Sequence, residues 1–497
     1  MVVVAGEYHA GNRNIPGRDG YRMKNMEAGI LTVFLMAAQL CGCGEEAVEE
    51  IRVIDREHMK LVVLRGERTR YENFYEADFV IMGGGLGGIA AALAACSSGR
   101  MTILIEETDH IGGCFTEQDT SRYLDNRFVE TSGSSPRYLE FRERIREWYR
   151  QKVLDQPEFM SPVYADLGDF NTNRFCFETD AAIDVIRSML KKYVDRENLI
   201  ILRRHKIYSA TRFNLKTASV QVVDLDNKVL NQVTGWMFID ATETGDVLPL
   251  VGIESVIGSE SREDTGEPHA ANEADSLGAF AYYYYDAGVL DTITDFGEIA
   301  LLNKRPAGAD SVGVVAITRE PRRMKSFERI VEEDIAEPFQ SGPRARYSRM
   351  SVGIGYSPIR ITGAEGEPVI VATKPYQIPL TALVPRESAN YISAGRTIGC
   401  TYVASSAYSA RSVEWVIGES AGEFAAFCAG NMINTHEVLA NQEYIMSLQE
   451  WLVGQCNIPL YWYDDVKPGD PDFVEAQLTP FRNPEEAETA KTLSFRH

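Results

Sequence analysis

The sequence predicts an α/β fold organised on a parallel βαβ unit, and three observations carry that expectation. First, the apolar, partly β-branched run Phe79-Val80-Ile81-Met82 runs straight into Gly83, Gly85 and Gly88, spaced G-x-G-x-x-G. Second, a small-residue helical stretch follows, and a further apolar run from Met101 to Ile105 closes on Glu106. Third, residues 390–430 read as a strand, the pair Gly395-Arg396, a polar loop and a helix rich in Ala, Gly and Ser. Strand, glycine turn, helix, strand and acidic terminus at this spacing describe a Rossmann-like dinucleotide-binding unit.

The chain has 497 residues, 44% hydrophobic and 25% charged, enough to bury large cores in about two domains. Its 50 Lys+Arg against 72 Asp+Glu give a net charge of -22, and no basic cluster relieves it, so nucleic acid is not an expected partner. Eight cysteines without C-x-x-C or Cys/His ligand spacing predict no metal site and no disulfide framework.

Residues 28–42 form a mostly apolar run with Arg22 and Lys24 just before it, too short to span a bilayer comfortably. Leu40-Cys41-Gly42-Cys43 at its end resembles a bacterial lipoprotein box, which implies lipidation at Cys43. Residues 1–43 are therefore read as a signal and lipoprotein region of an exported protein, attached to a bacterial membrane only through its lipid. The bland alternatives are a buried helix or an uncleaved anchor, and a cytoplasmic protein if there is no signal.

Within the nucleotide unit each residue type has a reason. Gly83 permits the tight turn, Gly85 lets backbone approach a pyrophosphate, and Gly88 lets helix pack on strand. Leu86 and Gly87 lie between them at the helix N-terminus, the end that favours anions. Glu106 can accept both hydrogen bonds of an adenosine ribose.

After Glu106 the chain reads E-x(5)-G-G through Gly112 and Gly113. This arrangement resembles the FAD-binding, glutathione-reductase-like oxidoreductases, whose fold is a three-layer ββα Rossmann-like domain. In that family the Gly-Gly turn brings backbone against the ribityl chain and flavin. Cys114 beside it implies a redox or flavin-tethering thiol, or plain packing.

Further along, Asp180 to Tyr193 reads as a helix, Leu199 to Leu202 as a strand, and the runs near 206–213 and 218–224 as part of a small antiparallel sheet near 206–235. The resemblance implies a backbone contact to adenine at Ile207. Trp236 to Ile239 and the D-A-T-x-x-G-D stretch from Asp240 to Asp246 resemble the strand that passes under the dinucleotide, with Ala241 and Thr242 in contact. The usual version of that stretch has glycine where this chain has Glu243.

The C-terminal segment, with Tyr376 to Leu380 and Leu383-Val384-Pro385 before it, resembles the FAD-dependent oxidoreductases often found in bacterial polysaccharide-degradation gene neighbourhoods. The likeness runs from about Ala77 to about Phe481. It implies FAD as cofactor, Gly395 and Arg396 as contacts, and residues Thr397 to Arg411 closing over the flavin, Arg411 included. Two FAD-binding parts, 77–250 and 376–440, then flank an inserted α+β substrate domain, 251–375, and 441–497 form a C-terminal helix and tail.

A flavin performs hydride chemistry while protein groups orient substrate and manage a proton. Candidates in the insertion are Arg319 and Arg323, whose guanidinium forks suit a carboxylate or carbonyl, and His269, which exchanges protons near neutrality. A salt-bridged helix start is the plain reading of the arginines, and a surface loop that of His269. Of Tyr282 to Tyr285, four consecutive residues that must point several ways, only some can form an aromatic platform for a sugar, and they read mainly as core and rim. The reaction expected is hydride transfer between flavin N5 and a small organic substrate, a saccharide derivative being one class, with an unidentified electron acceptor or donor. Two alternatives stand beside it: a flavin monooxygenase or halogenase, and a non-catalytic, FAD-retaining glycan-binding surface protein.

Overall fold

The computed structural model describes residues 71–117, 120–124, 126–155, 174–275, 282–283, 316–317, 321–362 and 368–484. Cys43 with the whole signal region, Arg319, Tyr284 and Tyr285 lie outside the described residues.

β1 (Asn73–Met82) is exposed over its first residues and buried over its last four, where Phe79, Val80, Ile81 and Met82 are fully covered. A continuous apolar run of this kind suits a central parallel strand buried on both faces. α1 (Leu86–Ser97) follows, buried from Leu86 to Cys96, and β2 (Thr102–Ile105) returns parallel to β1 with Phe79 opposite Thr102. α2 (Pro136–Asp155) turns Glu140, Glu143, Arg144, Glu147 and Arg150 outward, while its Tyr138, Phe141, Arg142 and Ile145 are buried.

α3 (Thr179–Val194) is amphipathic: Ala182, Val185, Ile186, Met189, Leu190 and Tyr193 form its buried stripe. Asp180 in its first turn and Lys191 and Lys192 in its last complement the helix dipole. β3 (Leu199–Leu202), β4 (His205–Phe213), β5 (Lys216–Asp224) and β6 (Val229–Asp240) complete most of one sheet, ordered β3-β2-β1-β6-β5-β4.

The antiparallel strands expected near 206–235 are thus continuous with the parallel sheet. The reason is the length of β6. Its first half pairs antiparallel with β5, and its last residues pair parallel with β7 (Tyr391–Ser393), with β1 along its other edge. One strand of 12 residues serves both layers.

The polar loop read after Gly395-Arg396 contains a short helix of its own, α4 (Tyr402–Tyr408), capped by the Thr401 side chain, which accepts from Ala404 N–H. α5 (Arg411–Asn431) lies on α1 and is buried from Ser412 to Ala429. Small residues set how closely the two helices approach. A Cβ at Gly418 would stand 2.1 Å from the Gly87 carbonyl oxygen, and one at Gly422 would stand 2.4 Å from that of Ala91. Described parts of 251–375, including Ile330, Ile335, Val352 and Ile359, share the same apolar core as α1 and α5. Among the described residues no helix is long and apolar enough to cross a membrane.

Candidate functional site

Glycine at position 83 is required twice over. Its φ is +97°, and a Cβ there would stand 2.4 Å from the carbonyl oxygen of Ala241, where the chain leaving β6 crosses beneath the turn. Ala241 N–H donates to the Met82 carbonyl at 2.8 Å. Thr242 is fixed by Asp240, whose Oδ1 accepts from its N–H and hydroxyl and whose Oδ2 accepts from the Tyr391 hydroxyl. Burial pushes the Asp240 carboxyl up, with these bonds opposing.

Gly88 packs against Gly83, and Gly87 against Ala394 just past β7; a Cβ at either would fall within 2.0 Å of the facing carbonyl oxygen. Leu86 is buried in the core, so only its backbone faces the turn.

Glu106 closes β2. Its Oε2 accepts from Gly84 N–H at 2.6 Å and its Oε1 from the Thr108 N–H and hydroxyl, each at 2.8 Å. Ionised carboxylate oxygens hold more than one lone pair, so both remain able to accept from a ribose. Burial, with Glu107 next, pushes this carboxyl up. Gly112 donates to the Gly84 carbonyl at 2.7 Å, which docks the Gly112-Gly113 turn on the first glycine loop. Cys114 is buried beside it. Ile207 lies on β4, whose first residue, His205, donates its N–H to the Glu106 carbonyl at 2.9 Å.

Gly395 and Arg396 follow β7, and the Arg396 side chain is 4% exposed. Its Nε lies 3.6 Å from Glu414 and 3.8 Å from Glu243, and Arg411 Nη1 lies 3.7 Å from Glu414. The structure therefore brings both glycine turns, the Ala241 crossing, Arg396 and Arg411 to one place, and adds two carboxylates. Glu243 and Glu414 were not legible as site residues; for Glu243 the only signal was a departure from an expected glycine.

His269 is held by a group that the sequence did not suggest. Its main-chain N–H donates to Glu332 Oε2 at 3.2 Å, and its ring Nδ1 bonds Glu332 Oε1. Glu332 is fully buried, whereas the His269 side chain is 37% exposed. Glu332 N–H donates to Glu267 at 2.7 Å, and the Thr401 hydroxyl donates to the same Glu267 oxygen at 2.6 Å. The Gly266-Glu267-Pro268-His269 stretch is thereby docked on the loop between Thr397 and Arg411. Burial pushes the Glu267 carboxyl up, with the Thr401 and Glu332 bonds opposing.

Arg323 sits differently from a substrate clamp. It is 1% exposed and donates to the Gly258 carbonyl at 2.5 Å and to Glu260 at 2.9 Å. Glu260 also accepts from Tyr402 N–H at 2.9 Å and pairs with Arg329, so Arg323 braces the start of α4 from inside. Arg322, not Arg323, is the partly exposed member of the pair, 3.3 Å from Asp246.

A positive-φ glycine turn, a glycine-capped helix N-terminus and an acidic strand terminus define a dinucleotide-binding α/β protein. The family model for FAD dependent oxidoreductases matches residues 78–296 and 285–452, and the chain belongs to that family. Its cofactor is FAD. An L-amino acid oxidase of Cerastes cerastes is 23% identical over 328 residues, 59% of this chain and 60% of that one. The chain thus spans 60% of the length of this curated relative. Among solved structures, a variant of E. coli quinol fumarate reductase FrdA aligns over 77% of this chain and 74% of its own, at 11% identity and TM-score 0.33. Mycobacterium smegmatis Sdh1 aligns over 76% and 73%, at 11% identity and TM-score 0.31.

Proposed function

We propose that this protein transfers a hydride between its FAD and a small organic substrate, and that His269, held by Glu332, moves the accompanying proton. FAD supplies the hydride chemistry when bound. Gly83, Gly85, Glu106 and the Ala241-Thr242 crossing hold its dinucleotide half, and the loop from Gly395 to Arg411 lies toward its flavin half.

The observation that carries the proton assignment is the chain of bonds from His269 through Glu332 and Glu267 to Thr401. A buried carboxylate on Nδ1 fixes the ring and its tautomer, which leaves Nε2 of this partly exposed side chain as the atom to exchange a proton. The arrangement is the usual one for a positioned general acid or base.

The test is anaerobic bleaching of the flavin absorbance with a panel of saccharides, uronic acids and L-amino acids, the last because a relative is an L-amino acid oxidase. With the substrate so found, His269→Asn should lower the rate of flavin reduction by about 10²- to 10⁴-fold at unchanged flavin content. An unchanged rate would remove His269 from the mechanism.

Export and lipid attachment at Cys43 are proposed on the sequence: the apolar run 28–42 with basic residues ahead of it and a small residue before the cysteine support them. An acyl mass on the mature N-terminus, lost in Cys43→Ser, is the matching observation.

A further inference from the structure

The second glycine of the first turn matters because bare backbone there can approach a pyrophosphate. In this protein that space is already taken. A Cβ at Gly85 would stand 2.6 Å from Glu243 Oε1, and a Cβ at Gly113 would stand 2.9 Å from the same oxygen. Gly85 is also the N-cap of α1, the end of a 12-residue helix where an anion is favoured. A side-chain carboxylate thus sits at the anion-binding end of the cradle, reached from the crossing segment just past Thr242.

The charges around Glu243 come from three other elements. Arg396, after β7, lies 3.8 Å from it; Glu414, on α5, shares that arginine at 3.6 Å; Arg411, at the start of α5, pairs with Glu414; and Glu106, at the end of β2, adds a like charge. Two arginines face three carboxylates before any phosphate arrives. A dinucleotide brings two more negative charges to the same end of α1, where interactions between charges are strengthened by partial exclusion of water.

We propose that Glu243 gates cofactor loading: its carboxylate is an internal competitor for the pyrophosphate of FAD, and it must be neutral or turned aside for the dinucleotide to seat. Arg396 is then the cation over which carboxylate and phosphate compete. The gate rests on the assignment of FAD to this cradle. It also has a direction in pH. Burial, with the Glu414 charge next, pushes the Glu243 carboxyl up to about 7. Below that value the side chain is neutral and adds no repulsion. Above it the anion forms, and FAD affinity falls by up to about tenfold for each pH unit.

The experiment is titration of flavin-stripped protein with FAD at pH 6, 7, 8 and 9, read by quenching of flavin fluorescence. Wild-type affinity should fall by about tenfold or more between pH 6 and pH 9. Glu243→Gln should bind with nearly constant affinity across that range, about tenfold more tightly than wild type at pH 9. Glu243→Gly, which empties the cradle altogether, should move the same way, and melting curves of the apoproteins report whether each variant is folded. The proposal is overturned if Glu243→Gln and Glu243→Gly bind FAD no more tightly than wild type at pH 9, or keep the wild-type pH slope. Failure of all three folded proteins to take up FAD at any pH would instead strike the cradle assignment, and the gate with it.

Discussion

Two glycines of α5 receive the same substitution and should answer with opposite signs. Gly418→Ala places a Cβ 2.1 Å from the Gly87 carbonyl oxygen and 2.5 Å from Gly87 Cα, whereas Gly430→Ala meets nothing within 4 Å. Both changes gain helix propensity, about 0.8–1 kcal/mol in a helix interior and less near its end. At Gly418 the gain is opposed by overpacking against backbone that has no rotamer to move, so α5 and α1 must separate by about 1 Å. Overpacking costs typically about 1–3 kcal/mol and more where the neighbour is rigid. The net expectation is a loss of about 1–2 kcal/mol for Gly418→Ala, toward the upper end of the overpacking cost because the neighbour is rigid backbone, and a gain of about 0.5 kcal/mol for Gly430→Ala. Urea unfolding followed by far-ultraviolet circular dichroism measures both. Because Gly87 lies in the first turn of α1, Gly418→Ala should also lower flavin content. Equal midpoints for the two variants would refute the close helix crossing.

Arg137 is the cation shared by two buried carboxylates of α5, at 2.9 Å from Glu419 and 2.8 Å from Glu423. Arg137→Met should cost about 3–5 kcal/mol in thermal or urea unfolding, part of it recovered by adding Glu419→Gln. Glu106→Gln turns an amide donor toward Gly84 N–H or Thr108, a mismatch worth about 1–3 kcal/mol, and should weaken FAD binding by about tenfold or more in an equilibrium titration. Glu130 gives a pH dependence. Burial raises its carboxyl, but Arg146 and Arg142 outweigh that and hold it below the ordinary value. Its contribution is therefore complete above the unfolded value of about 4.3 and is lost as pH falls through the lower folded value. Urea midpoints measured between pH 6 and pH 3 should show a shallower acid-side decline in Glu130→Gln than in wild type.

The sequence by itself determined what is local. The run into Gly83, Gly85 and Gly88, the small-residue helix and the strand closing on Glu106 are a contiguous pattern whose periodicity and φ requirements act within a few residues, so the βαβ unit and its ligand class were readable. The apolar spacing likewise fixed a helix from Asp180 to Tyr193, which the structure extends by one residue at each end. Tertiary structure decided what depends on pairs far apart in the chain. The double service of β6, which makes one sheet of two expected ones, follows from hydrogen bonding to partners at both ends of the sequence. Arg323 reads along the chain as either a substrate fork or a salt-bridged arginine, and only Glu260 and the Gly258 carbonyl, brought to it by folding, decide for the second. Glu332 carried no signal within its acidic run, because a carboxylate becomes a histidine's partner only when folding buries it against residue 269. Glu243 was visible only as a residue out of place. Its position in the cradle, and the charge it must hold there, come from Gly85, Gly113, Arg396 and Glu414 meeting around it, which no spacing along the chain encodes.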